Sequence, residues 1–403
     1  MGKLNSFVIV FSQTQDIYYP GQTIRGHVTV DLNDTMKMRG IRLRFEGKAK
    51  VEWEEGSGDN EKHYSAKEKY FKDDILLDGR GSEASGAELH LAAGLHTYPF
   101  TYQLPEQIPS SFEAKYGNVR YFAKCIIDKP WKFDHETMKP FTVIYPLDLN
   151  EDESALMPVK ESNSKTVGCL CCESGPINAT FAIDRQGYVP GEAIILKAEI
   201  DNMSNGQIES SSVTLTMETT FRVKHKTKYK QNKVAKLKHG SILMGEHDYW
   251  NGDQLVIPPL PPSYLRCCSI IDVKYILMLT VRPPGLAFDL NIQLPVIIGT
   301  IPLQSVIDSH PAIMHPAASS SFPPSAYPPG ETPPTDTFSP GAGFASPVYP
   351  QQRSALPPSY EECVFGKVNI SEEGDSKYLQ GVTEYAPAYA YYDWGHKPTG
   401  LPD

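Results

Sequence analysis

Apolar and polar residues alternate through most of the first three hundred positions. Ile41, Leu43, Phe45, Ala49, Val51 and Trp53 share one parity, and Arg42, Arg44, Glu46, Lys48, Lys50, Glu52 and Glu54 share the other. Period two sustained over about fourteen residues predicts a long strand with one face buried. Shorter alternations predict strands through Ile24, Val28, Val30 and Leu32, through Val213, Leu215 and Met217, and through Leu290, Ile292, Leu294, Val296 and Ile298. Turn signals separate them: PG at 20–21 and 190–191, NG at 205–206 and 251–252. No segment sustains a helical period, so the chain reads as all-β and of sandwich type.

An internal repeat divides it. FSQTQDIYYPGQTIRGHVTVD (11–31) and FAIDRQGYVPGEAIILKAEID (181–201) align without gaps at an offset of 170. In each copy a strand leads to a Tyr-x-Pro-Gly turn and a second strand. Proline sets φ for such a turn, and glycine supplies positive φ at the next position. Two similar sandwiches in tandem are expected at 1–150 and 175–305, with 151–174 as a polar linker.

The last hundred residues differ. Leu303 to Asp403 holds 16 of the 34 prolines, 8 of the 22 tyrosines, and 4 Lys/Arg against 11 Asp/Glu. Stretches such as SSSFPPSAYPPGETPPTD bury too little apolar surface to offset chain entropy, so 306–403 is expected to be a disordered, locally polyproline-like tail. The net charge of −10 argues against a nucleic-acid partner. No apolar run approaches the roughly 20 residues of a membrane span, and Met1 to Ser12 lacks a secretory pattern, so a cytoplasmic protein is expected. The seven cysteines, an odd number with two adjacent pairs, make a poor disulfide framework.

Particular segments go further. SFEAKYGNVRYFAKCIIDKPWKF (111–133), CESGPI (172–177), CSIIDVKYIL (268–277) and LPVIIGTIPL (294–303) are similar to the signature segments of arrestin domain-containing proteins, the α-arrestins. The resemblance covers about residues 5–305 and implies two tandem immunoglobulin-like, arrestin-type β-sandwiches. It further implies a non-enzymatic adaptor whose PPxY peptides recruit the WW domains of HECT-type ubiquitin ligases. The cargo would be membrane receptors or transporters, with other arrestins as further partners, at the periphery of the plasma membrane and endosomes. The rival reading is a retromer-like sorting scaffold that needs no PPxY.

LPPSY occurs twice, at 260–264 and at 356–360. A WW groove accepts a polyproline turn and a tyrosine, and prolines already in that conformation lose less entropy on binding. Pro357, Pro358 and Tyr360 supply the spacing inside the tail, followed by Glu361 and Glu362. The copy at 261–264 runs at once into the apolar stretch Ser269 to Leu279, and is read as a loop entering a core strand. FPPSAY (322–327), SPVYP (346–350) and YAPAY (385–389) are near-misses of the motif.

Lys224, Lys226, Lys228 and Lys230 alternate, so on one strand they would line one face. That face is a candidate contact for anionic lipid or a phosphorylated cargo tail, or the guarded edge of a sheet. Cys169, Cys171, Cys172, Cys267 and Cys268 lack the spacing of a structural zinc site. No metal or cofactor is expected. MGKLNS fits the loose myristoylation pattern at Gly2. P-loop, zinc-protease, serine-hydrolase and dinucleotide motifs are missing, which argues against an enzyme.

Overall fold

The computed structural model describes residues 3–13, 16–80, 89–130, 133–166, 175–283, 285, 287–309, 359–371 and 379–396. Contacts divide the chain into 1–303 with 358–403 as one compact unit, and 304–357 as another. Within the second unit, Gln304–Ser309 is a short helix.

The first sandwich packs the sheet Leu4–Phe11, Thr23–Leu32, Gly94–Gln103 against a larger one. The larger sheet runs Ile17–Tyr18, His135–Val143, Gly117–Asp128, Gly40–Glu55, Lys62–Gly79 in spatial order. The long alternation is the strand Gly40–Glu55, with Ile41, Leu43, Phe45, Ala49, Val51 and Trp53 all buried. The second sandwich repeats the plan. Val159–Thr166, Pro176–Ile183, Ala193–Asn202 and His247–Val256 form one sheet. Gly187–Tyr188, Leu290–Ile298, Ile271–Arg282, Ser210–Val223 and Lys226–Lys238 form the other.

The duplication reaches into the hydrogen bonding. Ile17–Tyr18 pairs in parallel with His135–Val143, and Gly187–Tyr188 does the same with Leu290–Ile298. Tyr121 donates its hydroxyl to the Pro109 carbonyl at 2.7 Å, and Tyr275 donates to that of Pro261 at 2.7 Å. Ser111 exchanges bonds with Val143, its N–H donating to the carbonyl and its Oγ accepting from the N–H; Ser263 does likewise with Ile298. PPSY at 261–264 is therefore the second sandwich's version of PSSF at 109–112.

The structure differs from the sequence expectation in two places. Residues 151–174 were expected to link the sandwiches. Instead Val159–Thr166 is an edge strand of the second one, paired along its length with Pro176–Ile183. Its residues after Val159 are polar, so backbone bonds rather than an apolar face hold it. The second difference concerns the tail. Within 306–403, residues 359–371 and 379–396 form short strands against the sandwiches. Their tyrosines bring both apolar rings and hydroxyls that find partners.

Candidate functional site

Tyr360 lies in the strand Ser359–Glu362, which pairs antiparallel with Ala388–Tyr391; Tyr360 stands opposite Ala390. Its hydroxyl is 2.7 Å from that of Tyr19, in the first Tyr-x-Pro-Gly turn. Burial, and then the bond to Tyr360, push the Tyr19 phenol well above the usual tyrosine range. Ser359, Glu361 and Glu362 are exposed. Pro357 and Pro358, the other two residues of the motif, lie outside the described residues.

What holds Ala388–Tyr391 in place is a set of buried tyrosines. Tyr389 is 2 % exposed and donates its hydroxyl to the Ser111 carbonyl at 2.9 Å. The Tyr385 hydroxyl lies 3.0 Å from that of Thr142, and the ring packs with Phe122, Met138 and Ile370. Tyr392 donates its hydroxyl to the Thr300 carbonyl at 2.8 Å and its N–H to that of Pro190 at 3.1 Å. Pro190 belongs to the second Tyr-x-Pro-Gly turn, so one peptide touches both copies of the repeat. At Gly191, where φ is +95°, an added Cβ would sit 1.9 Å from the Tyr392 carbonyl oxygen. Burial raises the pKa of Tyr385, Tyr389 and Tyr392 and lifts the Cys363 thiol to about 11, so all four stay neutral at physiological pH.

Upstream, Leu379–Gly381 extends the first sandwich by pairing in parallel with Glu136–Met138. With Phe7, Ile9 and Lys139 it walls a cleft of about 240 Å³. Sequence reading missed this docking. YAPAY, a failed PPxY by its letters, supplies two of the anchors.

The other copy of the motif is part of the second sandwich. Pro261, Pro262 and Ser263 are buried. Tyr264 is 38 % exposed, sits at φ 55°, and donates its N–H to the Val273 carbonyl at 2.8 Å.

The lysine ladder is interrupted. Lys224 occupies the hairpin turn at φ 46° rather than the strand. Lys226 pairs with Glu55 of the first sandwich at 3.0 Å, and Lys228 lies over the Tyr116 ring at 4.5 Å and the Trp53 ring at 5.6 Å. Lys230 is exposed on what is the edge strand of its sheet. Two of the four lysines thus face the seam between the sandwiches instead of a common outer surface.

Cys169, Cys171, Cys172 and Gly2 lie outside the described residues. Burial pushes the Cys268 thiol up to about 11, so it is protonated at neutral pH. Glu199, Asp201 and His247 bring ligand atoms within 4.8 Å of one another on adjacent strands. His247 already bonds Asp201, and the group is largely exposed. Among the described residues no helix is long and apolar enough to cross a membrane.

Comparison with known proteins agrees with the duplicated sandwich. The profile of the family Arrestin (or S-antigen), N-terminal domain, matches residues 7–150, and that of the C-terminal domain matches 173–303. Arrestin domain-containing protein 17 of Caenorhabditis elegans is 29 % identical over 440 residues, covering 97 % of this chain and 100 % of its own. Arrestin domain-containing protein 4 of Homo sapiens is 33 % identical over 307 residues, 75 % of this chain and 72 % of its own. Human thioredoxin-interacting protein is 27 % identical over 299 residues, 74 % of this chain and 75 % of its own. With both arrestin domains matched in order and a relative one-third identical across them, the chain belongs to the arrestin domain-containing, or α-arrestin, family.

Proposed function

We propose that this chain is an adaptor that brings HECT-type ubiquitin ligases, through their WW domains, to membrane receptors or transporters at the plasma membrane and endosomes. Membership of the family supports an adaptor role in trafficking. The observation that carries the finer reading is the PPSY at 357–360, which follows both matched arrestin domains in the sequence and runs into the exposed Glu361 and Glu362. The copy at 261–264 offers no such peptide. Extracting its buried Pro261 and Pro262 into a groove would break the Tyr275 and Ile298 bonds and open the sheet.

The test is capture by a ligase WW domain. Tyr360→Ala should abolish capture of the full chain, and Tyr264→Ala in folded protein should leave it intact. The reverse pattern would reject the assignment. The rival sorting scaffold predicts instead that Tyr360→Ala leaves cargo downregulation in cells unchanged.

A further inference from the structure

The ligase reading treats PPSY as a free peptide, but Tyr360 is not free in this fold. A WW domain must take the tyrosine ring into its own pocket and the preceding chain in polyproline form. Here the backbone of Ser359–Glu362 is committed to a strand ladder with Ala388–Tyr391, and the Tyr360 hydroxyl to Tyr19. The same side chain cannot serve both partners. The strand that holds it is itself fixed to the first sandwich by Tyr385 and Tyr389 and to the second by Tyr392.

We propose that residues 359–371 and 379–396 form an intramolecular latch that withholds Tyr360 from WW domains until the Tyr385–Tyr389–Tyr392 segment leaves the seam between the sandwiches. The inference rests on the ligase reading above. Its consequence is quantitative: only the unlatched fraction binds, so apparent affinity falls by that fraction. Coupling is reciprocal. A WW domain that captures Tyr360 loosens the seam peptide, and a protein that takes over the Ser111, Thr142 and Thr300 positions releases the ligase motif. The two events become one switch, with ligase capture favoured when the seam is engaged.

The experiment measures binding of one purified ligase WW domain to four probes. These are a synthetic peptide of residues 353–366, the full chain, the full chain carrying Tyr389→Ala, and the full chain carrying Glu362→Cys with Ala388→Cys. Glu362 and Ala388 face each other across the ladder. Directly paired antiparallel residues lie within the Cα separation a disulfide spans. The peptide should bind about tenfold or more tighter than the full chain, the size expected if a tenth or less of the molecules are unlatched. Tyr389→Ala should move the full chain towards the peptide. The oxidised double-cysteine chain should bind more weakly than wild type and recover on reduction, which separates locking from loss of the Glu362 charge. Hydrogen exchange at 379–396 should rise when the WW domain is added to wild type. If the peptide and the full chain bind alike, and neither Tyr389→Ala nor oxidation matters, the latch is wrong and the ligase reading stands. If the peptide itself fails to bind, the ligase reading falls and the latch falls with it.

Discussion

The two PPSY sequences are identical in letters and opposite in circumstance. At 261–264 the prolines and serine are inside the second sandwich, bonded to Tyr275 and Ile298. The first sandwich uses PSSF at 109–112 in the same way. At 359–360 the motif's last two residues lie in a short ladder, the Tyr360 hydroxyl meets that of Tyr19, and the nearby Cys363 donates its N–H to the Pro387 carbonyl. A motif scan counts both as docking peptides. Burial separates them, because a core segment can enter a partner's groove only by unfolding its own sheet, while a short ladder on the outside can open with both sandwiches intact.

The largest effect that sharpens this contrast is Tyr275→Ala. It removes a fully enclosed ring and should destabilise the protein by about 3–5 kcal/mol in a denaturant melt. Tyr360→Ala, at a half-buried ring outside both cores, should cost about 1 kcal/mol or less in the same melt. Comparable losses would erase the distinction. Next comes the serine pair. Ser263→Ala leaves the buried Ile298 N–H without its Oγ partner and should cost about 1–3 kcal/mol. Ser359→Ala, at an exposed site, should stay within about 0.5 kcal/mol. The smallest is Tyr19→Phe, which deletes only the hydroxyl facing Tyr360. Global stability should barely change, while WW-domain affinity of the full chain should rise a few-fold, readable by titration calorimetry. Unchanged affinity would mean that this hydroxyl contributes nothing to holding the motif.

Much of the fold was legible because sandwich strands write their burial as parity. Ile41 to Trp53 and Leu290 to Ile298 could be read directly, and the repeat at 11–31 and 181–201 gave the duplication. Val159–Thr166 escaped because a polar edge strand carries no alternation. The docked tail escaped for another reason. Averaging 303–403 mixed Pro-Ser-Gly stretches with AYAYYDW, whose closely spaced aromatics have the β-propensity of a strand. Reading that heptad alone would have suggested order. The lysines show the limit of one-dimensional pattern. Alternation can place Lys226 and Lys228 on one face, but only the packing of two domains puts Glu55, Trp53 and Tyr116 beneath them.

The glycine at 191 has a mechanical implication. Because the chain there lies against the Tyr392 carbonyl with no room for a methyl group, the peptide's far end has a fixed stop on the second sandwich. The strand paired with it touches Tyr19 on the first. Each side of one short ladder therefore grips a different sandwich, and the ladder works as a clasp across the seam. Parting the sandwiches there requires one of those two grips to be given up.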